Sequence, residues 1–318
     1  PPDYSSAASD VYKRQHDISH LAGEPSVILR FIFFSDGGLS YDGVAVDNIN
    51  IEGPITSFPW TEDFESFTTC NDVTCGYDCS EAVANGWQQS QTDDRDWKID
   101  NYTTPSGDTG PSFDNTRKDT TGKYLYTEAS SGCVQFTHDL ISPKLDVTNL
   151  GFAFVDFYYH MYGQHIGSLQ LDISTNSGVN WTTLWQENND VQTSTNDPWA
   201  LATVDISSYT GSILLRWRGT TGNNYSSDIA IDDIKVYEVF STDAFVQTVA
   251  LQETPYCAYS PEVPIVVTVE NIGLNNISGF DVTYEVNGPS GIQTVTENVG
   301  AASLAQKDTL NFLFSTTA

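Results

Sequence analysis

Apolar and polar residues alternate with a period of two through several stretches of this chain. Leu169, Leu171 and Ile173 alternate with Gln170, Asp172 and Ser174, and Ile213, Leu215 and Trp217 alternate with Leu214, Arg216 and Arg218. Successive side chains of a strand point to opposite faces, so each stretch predicts a strand with one buried and one wet face. Gly, Asn, Ser and Asp turns separate these stretches, a pattern that predicts two antiparallel sheets packed face to face. Farther along, Ile265, Val267 and Val269 alternate with Thr268 and Glu270, then Val282, Tyr284 and Val286 alternate with Thr283 and Glu285. With turns at 273–279 and at Asn287-Gly288, residues 243–318 predict a smaller immunoglobulin-like sandwich that stops short of the usual seven or so strands. In one place the register slips: Ile229 and Ile231 occupy odd positions, Ile234 and Val236 even ones. The slip predicts a β-bulge at Asp232-Asp233.

Composition agrees with an all-β protein. The 318 residues include 16 Tyr, 16 Phe and 7 Trp but one Met, and no long run of Ala, Leu, Glu and Lys favours helix. A repeat divides the chain. Ser26–Phe31 followed by Gly43–Ile49 recurs as Ser212–Trp217 followed by Asp228–Ile234. Residues 16–54 are therefore expected to be the closing strands of a preceding module of the same kind, 54–59 a linker, 60–239 a complete sandwich and 243–318 a truncated one. Residues 1–15 read as an adapter-like, non-native leader and stand outside the fold.

Acidic residues outnumber basic ones 42 to 13, for a net charge of -29. Such a field repels nucleic acid and anionic membranes and suits solubility in a salty exterior or the holding of Ca²⁺. No run of 18 apolar residues is present in the sequence, so no transmembrane segment is expected in it. Of the five cysteines, Cys70, Cys75 and Cys79 crowd into a polar stretch and Cys133 lies downstream. In an exported protein these predict a disulfide-stapled loop of open connectivity, whereas in the cytosol they would predict a metal. The odd one, Cys257, fits a last domain that ends before its partner cysteine.

Residues 61–239 resemble the MAM family of extracellular adhesion modules. The matching pieces, in order, include Asp63-Phe-Glu65, Asn85-Gly-Trp87-Gln88, Asp96-Trp97, Thr104-Pro-Ser106, Thr109-Gly-Pro111, Gly122–Tyr126, Glu128-Ala-Ser130, Phe157–Met161, Gly167-Ser-Leu169, Leu184-Trp185 and Ile229–Ile234. The tail is similar to CARDB-type repeats of exported bacterial proteins through Val269–Gly273, Tyr284–Gly288 and 312–317. The fold implied is a MAM jelly roll followed by a truncated immunoglobulin-like sandwich, and the role implied is extracellular adhesion or assembly in a secreted bacterial surface protein. The insertion at Cys70–Cys79 departs from the family, so its disulfide pairing is not carried over.

Carboxylates are the first functional candidates. Asp232 and Asp233 at the bulge, Asp63 and Glu65 on the opening strand, and Asp94 and Asp96 from the run Asp93-Asp-Arg-Asp96 make an oxygen-only set suited to structural Ca²⁺. The alternative has them capping turns or pairing with Arg216 and Arg218. Trp181 and Trp199 near polar turns are candidates for stacking on sugars, against a role in the core. Ser174–Trp181 resembles an Asp-box hairpin with Asn176 where Asp is usual, and is expected to be a tight hairpin capped by a buried Trp. Histidines 16, 20, 138, 160 and 165 fall in no H-E-x-x-H motif, His160 reads as a packed sheet residue, and no catalytic residue is assigned. The function expected is a non-catalytic interaction module whose partners are surface proteins or extracellular glycans. The alternative is a carbohydrate-binding accessory module of a secreted hydrolase.

Overall fold

The computed structural model describes residues 53–71, 74–251, 263–288 and 291–316, together with Ile18, Leu21 and 27–32. The leader, nearly all of the expected remnant over 16–54, and Cys257 lie outside the described residues.

The module is a sandwich of two six-stranded antiparallel sheets. In sheet 1, β1 (Trp60–Glu62), β3 (Lys98–Asp100), β4 (Tyr124–Tyr126), β7 (Ala153–Met161), β10 (Ala200–Asp205) and β12 (Ile229–Glu238) are ordered β10-β7-β12-β4-β3, with β1 also on β12. In sheet 2, β2 (Gln88–Gln89), β5 (Thr137–Ile141), β6 (Leu145–Asp146), β8 (Ser168–Ser174), β9 (Thr182–Asn188) and β11 (Ser212–Thr220) are ordered β2-β5-β11-β8-β9, with β6 also on β11. First and last strands of the module thus lie side by side, Trp60 facing Val236 and Glu62 facing Ile234.

The alternation seen in the sequence explains the layers. Leu169, Leu171, Ile173, Ile213, Leu215 and Trp217 are all buried between the sheets. Phe157 of β7 meets Trp217 of β11 edge-on, ring centroids 5.9 Å apart, and Trp87 packs against Trp217 at 5.5 Å. Fully burying one such aromatic contributes roughly 2 to 3 kcal/mol. Among the positions that depart from the wet face alternation assigns them, Asp172 and Ser174 are buried. Asp172 accepts from the Arg216 guanidinium at 2.6 Å, and the Ser174 hydroxyl accepts the Gly178 N–H at the β8–β9 turn. Both groups find partners locally, which is what burial demands of them.

The stretch read as a linker docks onto the module. Ile55 bridges Leu145 in parallel, donates to Lys144 O, accepts from Asp146 N, and packs on the core. In the tail, β13 (Ala244–Leu251), β14 (Ile265–Asn271) and β17 (Thr309–Leu313) form one sheet, β15 (Asp281–Gly288) and β16 (Gly291–Asn298) a hairpin. Ile265, Val267, Val269, Val282, Tyr284 and Phe314 form its buried apolar cluster, with Phe314 edge-on to Tyr284.

The four described cysteines are paired, Cys70 with Cys79 and Cys75 with Cys133, at Cα separations of 6.0 and 6.1 Å. The first closes the inserted loop on itself, and the second ties it to the approach to β5. The Cys75–Cys133 link spans 58 positions and removes the larger loop entropy from the unfolded chain. Replacing both of its cysteines by serine is expected to lower the unfolding free energy by up to about 4 kcal/mol, against about 3 for Cys70–Cys79. Urea denaturation of the two double variants checks the order.

Candidate functional site at the bulge and its cleft

β12 changes neighbour halfway along one edge. Ala230 and Ile231 pair with Tyr126 and Leu125 of β4, whereas Ile234, Lys235 and Val236 pair with Glu62, Thr61 and Trp60 of β1. Between these partners, the register against β7 shifts from Asp232 to Lys235, and Asp233 takes a left-handed φ of 46°. The bulge predicted from the sequence is thus the point where β4 gives way to β1.

Both bulge carboxylates hold the loop around Asn115. Buried Asp232 accepts the Asn115 N–H and the Asp233 N–H, each at 2.8 Å. Asp233 accepts from Asn115 Nδ2 and Thr116 Oγ1, each at 2.6 Å. Burial, then the negative charge of Asp233, drives the Asp232 pKa well above the ordinary carboxylate range. On the neighbouring strand Glu62 accepts from Phe64 N, Asn85 Nδ2 and Trp87 Nε1, and its pKa is raised by burial. Asp63 accepts the Glu65 N–H at 3.2 Å. Glu65 accepts the Lys123 N–H and pairs with Arg117 at 3.0 Å, and its pKa is raised by burial.

Beside the bulge opens a cleft of about 930 Å³, lined by Glu62, Asp63, Asp114, Asp156, Asp197 and Asp233 together with Lys118 and Lys235. Hydrogen bonds from Ser194 and Thr193 hold the Asp197 carboxyl down at about 2. Tyr158, Trp199 and Leu201 supply its apolar wall. Of the six carboxylates singled out in the sequence, Asp63 and Asp233 share this cleft, Asp232 lies next to it, and Glu65 is not in its lining but is held by Lys123 and Arg117. Asp94 and Asp96 do not join them. Asp94 accepts from the Thr137 N–H and hydroxyl, Asp96 from Cys79 N and Ser80 Oγ, which attaches them to β5 and the cysteine loop. Among the described residues, no three His, Cys, Asp or Glu side chains converge as a metal site requires.

Arg216 and Arg218 bind other carboxylates. Both reach Asp139, at 3.3 and 2.7 Å, and Arg216 also holds Asp172 on the outer face of sheet 2. The Arg216 guanidinium lies 4.4 Å from the centre of the Trp181 ring, so Trp181 is half-buried under a cation and does not cap the hairpin as a buried residue. Trp199 is buried at 9% exposure, donates from Nε1 to Phe113 O at 3.2 Å, and meets Tyr124 and His160 edge-on. It lines the cleft but is packed against its neighbours, where a sugar-stacking ring would project. His160 is a packed sheet residue, as expected, and burial lowers its pKa to about 4. Sequence reasoning missed Asn115 and Thr116, because nothing in local spacing links a turn-rich stretch to a strand 117 positions away. It also missed Asp93, which accepts the Asp139 N–H.

Comparison with known proteins adds the following. The family model described as MAM domain, meprin/A5/mu, matches residues 63–240. The chain is 33% identical over 177 residues to MAM domain-containing glycosylphosphatidylinositol anchor protein 1 of Gallus gallus, a stretch that is 53% of this chain and 18% of that protein. It is 28% identical over 169 residues to Neuropilin-1 of Xenopus laevis, 52% of this chain and 17% of that one. Thus the chain spans less than a fifth of the length of these two relatives. Among solved structures, the K1 cleaved adhesin domain of Lys-gingipain from Porphyromonas gingivalis W83 is 17% identical, with a TM-score of 0.39, covering 57% of this chain and 99% of that one.

Asp93 gives the module a pH signature. Burial, reinforced by the charges of Asp139 and Asp96, pushes its pKa up to about 7. A carboxyl with a higher pKa folded than unfolded binds extra protons in the folded state, so its contribution to stability is present below about pH 4 and lost as pH rises through about 7. Asp93→Asn, which keeps the acceptor for Asp139 N–H, is expected to raise the melting temperature at pH 8 and leave it unchanged near pH 4. Calorimetric melts at both pH values check the sign.

Proposed function

The chain belongs to the MAM domain family, meprin/A5/mu, and from that premise we propose that it is a non-catalytic adhesion module of an exported protein, acting by contact with other surface proteins or extracellular glycans. The observation that carries this reading is the family match over 63–240, more than half of the chain. Relatives named for a glycosylphosphatidylinositol anchor support a cell-surface setting, and the paired cysteines support an oxidising compartment. No helix among the described residues is long and apolar enough to cross a membrane. In this reading the CARDB-like tail is a spacer within a longer bacterial surface protein.

The contact face in this reading is the cleft and the strand that borders it. β10 is an edge strand, and its Leu201 is 49% exposed beside the cleft. An apolar anchor with a charged rim is the usual build of a protein contact.

Beads coated with the chain are expected to bind surface proteins of the source cell or one another, and Leu201→Asp is expected to abolish that binding with unchanged near-ultraviolet circular dichroism. Binding confined to a glycan array and lost on Trp181→Ala would replace the reading with a carbohydrate-binding one. Binding unaffected by Leu201→Asp would remove the cleft from it.

A further inference from the structure

β10 ends sheet 1, and among the described residues no strand lies on its far side. Its near side pairs with β7 residue by residue, from Ala200 opposite Tyr159 to Asp205 opposite Phe154, with no break in register. The parity of that ladder decides which backbone groups are free. Just past β10, Ile206 N donates to Ala153 O, its partner in the continued register. The hydrogen-bonded pairs are therefore those of Ala200, Ala202 and Val204, and the N–H and C=O groups of Leu201, Thr203 and Asp205 point away from β7. The other edge of β7 agrees, since Val239 N, just past β12, donates to Phe152 O.

The same three residues carry the exposed side chains of β10, while Ala202 and Val204 are buried. Edge strands of native proteins are commonly blunted by Lys, by Pro or by a bulge. β10, with the sequence Ala-Leu-Ala-Thr-Val-Asp, has none of these. On the outer face, register sets Tyr158 beside Leu201, Asp156 beside Thr203, and Lys235 beyond Asp156. The cleft on this face is lined by six carboxylates against two lysines. Asp197 among them stays ionised through the neutral range, and a buried oxygen of Asp156 has no donor. Excess carboxylate charge beside a low-dielectric wall attracts cations.

We propose that β10 is the acceptor edge for an extended, basic segment of a partner protein, which adds to sheet 1 as a further strand and sets Lys or Arg over the cleft. Side chains of an added strand alternate between faces. Those on the outer face lay their methylene stems along Leu201, 49% exposed, and carry their charged heads to the carboxylates. Those on the inner face meet the row of Ala202 and Val204 and are apolar. A second copy of this chain is disfavoured at the edge, because each copy carries a net charge of -29 and would bring its own Asp205 and acidic cleft to the contact. The inference rests on the adhesion reading for its choice of face, and adds the chemistry of the partner and the backbone mode of binding.

The probe is a labelled peptide of about ten residues that alternates Lys and Val, long enough to overlap the strand, titrated with the whole chain by fluorescence anisotropy. Saturable binding is expected, weakened about tenfold or more by Thr203→Pro. That variant removes a free N–H and no bond to β7, so its melting temperature is expected to match that of the unaltered chain. On the unaltered chain, the same peptide N-methylated at alternate residues is expected to lose binding, which decides the matter even where the variant fails to fold. A peptide alternating Glu and Val is expected not to bind, and binding of the Lys-Val peptide is expected to weaken as NaCl rises from about 0.05 to about 0.5 M. No binding of the Lys-Val peptide overturns the proposal. So does binding that N-methylation or a folded Thr203→Pro variant leaves intact, since that reduces the site to a charged patch. A dimer of the chain broken by Thr203→Pro also overturns it, by giving the edge to a second copy. The adhesion reading fails separately: it falls if chain-coated beads bind nothing although the peptide binds, and it survives if the beads bind through Leu201 although the peptide does not.

Discussion

β12 is the strand on which the module closes. It runs beside β7 along one edge, while its other edge is shared in sequence by β4 and β1, so the middle of the sheet depends on a handover between two partners. Such a handover leaves backbone groups unpaired at the junction, and unpaired groups cannot be buried cheaply. The bulge at Asp232 and Asp233 resolves this. It shifts the register, turns one residue into the left-handed region, and brings two carboxylates to the Asn115 loop. Phe113 to Thr116 of that loop form part of the cleft's lining.

A chain with 42 acidic residues would be expected to spread its charge over the surface. Several of these carboxylates instead work inside, as acceptors for backbone N–H groups: Glu62 for Phe64, Asp96 for Cys79, Asp93 for Asp139, Asp114 for Arg117. A carboxylate has more acceptor sites than any other side chain, so one group can satisfy several orphan donors where irregular segments leave the sheets. The accompanying cost is visible in the raised pKa values of Glu62, Asp93 and Asp96. On the outer face of sheet 2 the solution differs, since Asp139 and Asp172 are paired with Arg216 and Arg218.

Much of this architecture was legible in the sequence. A period of two, interrupted by turn formers, determined which residues of β8, β11, β14 and β15 enter the cores, because a strand has only two faces and one of them must be apolar. The slip between Ile231 and Ile234 located the bulge for the same reason. The crowded cysteines announced a stapled loop, though not its pairing, since four cysteines admit three connectivities.

Tertiary structure alone decided where the carboxylates went. Asp94 and Asp96 sit just before β3 in sequence yet engage the start of β5 in the other sheet and the cysteine loop, and Asp63 shares a cleft with Asp233 because the first and last strands pair. Nothing in local spacing distinguishes Asp172, which alternation assigns to water, from a solvated neighbour. Its burial follows from the Arg216 that β11 sets beside it. Periodicity is a property of one strand and is written in its residues, whereas the company a charge keeps depends on which strands lie next to each other, and that is fixed only when the sheets assemble.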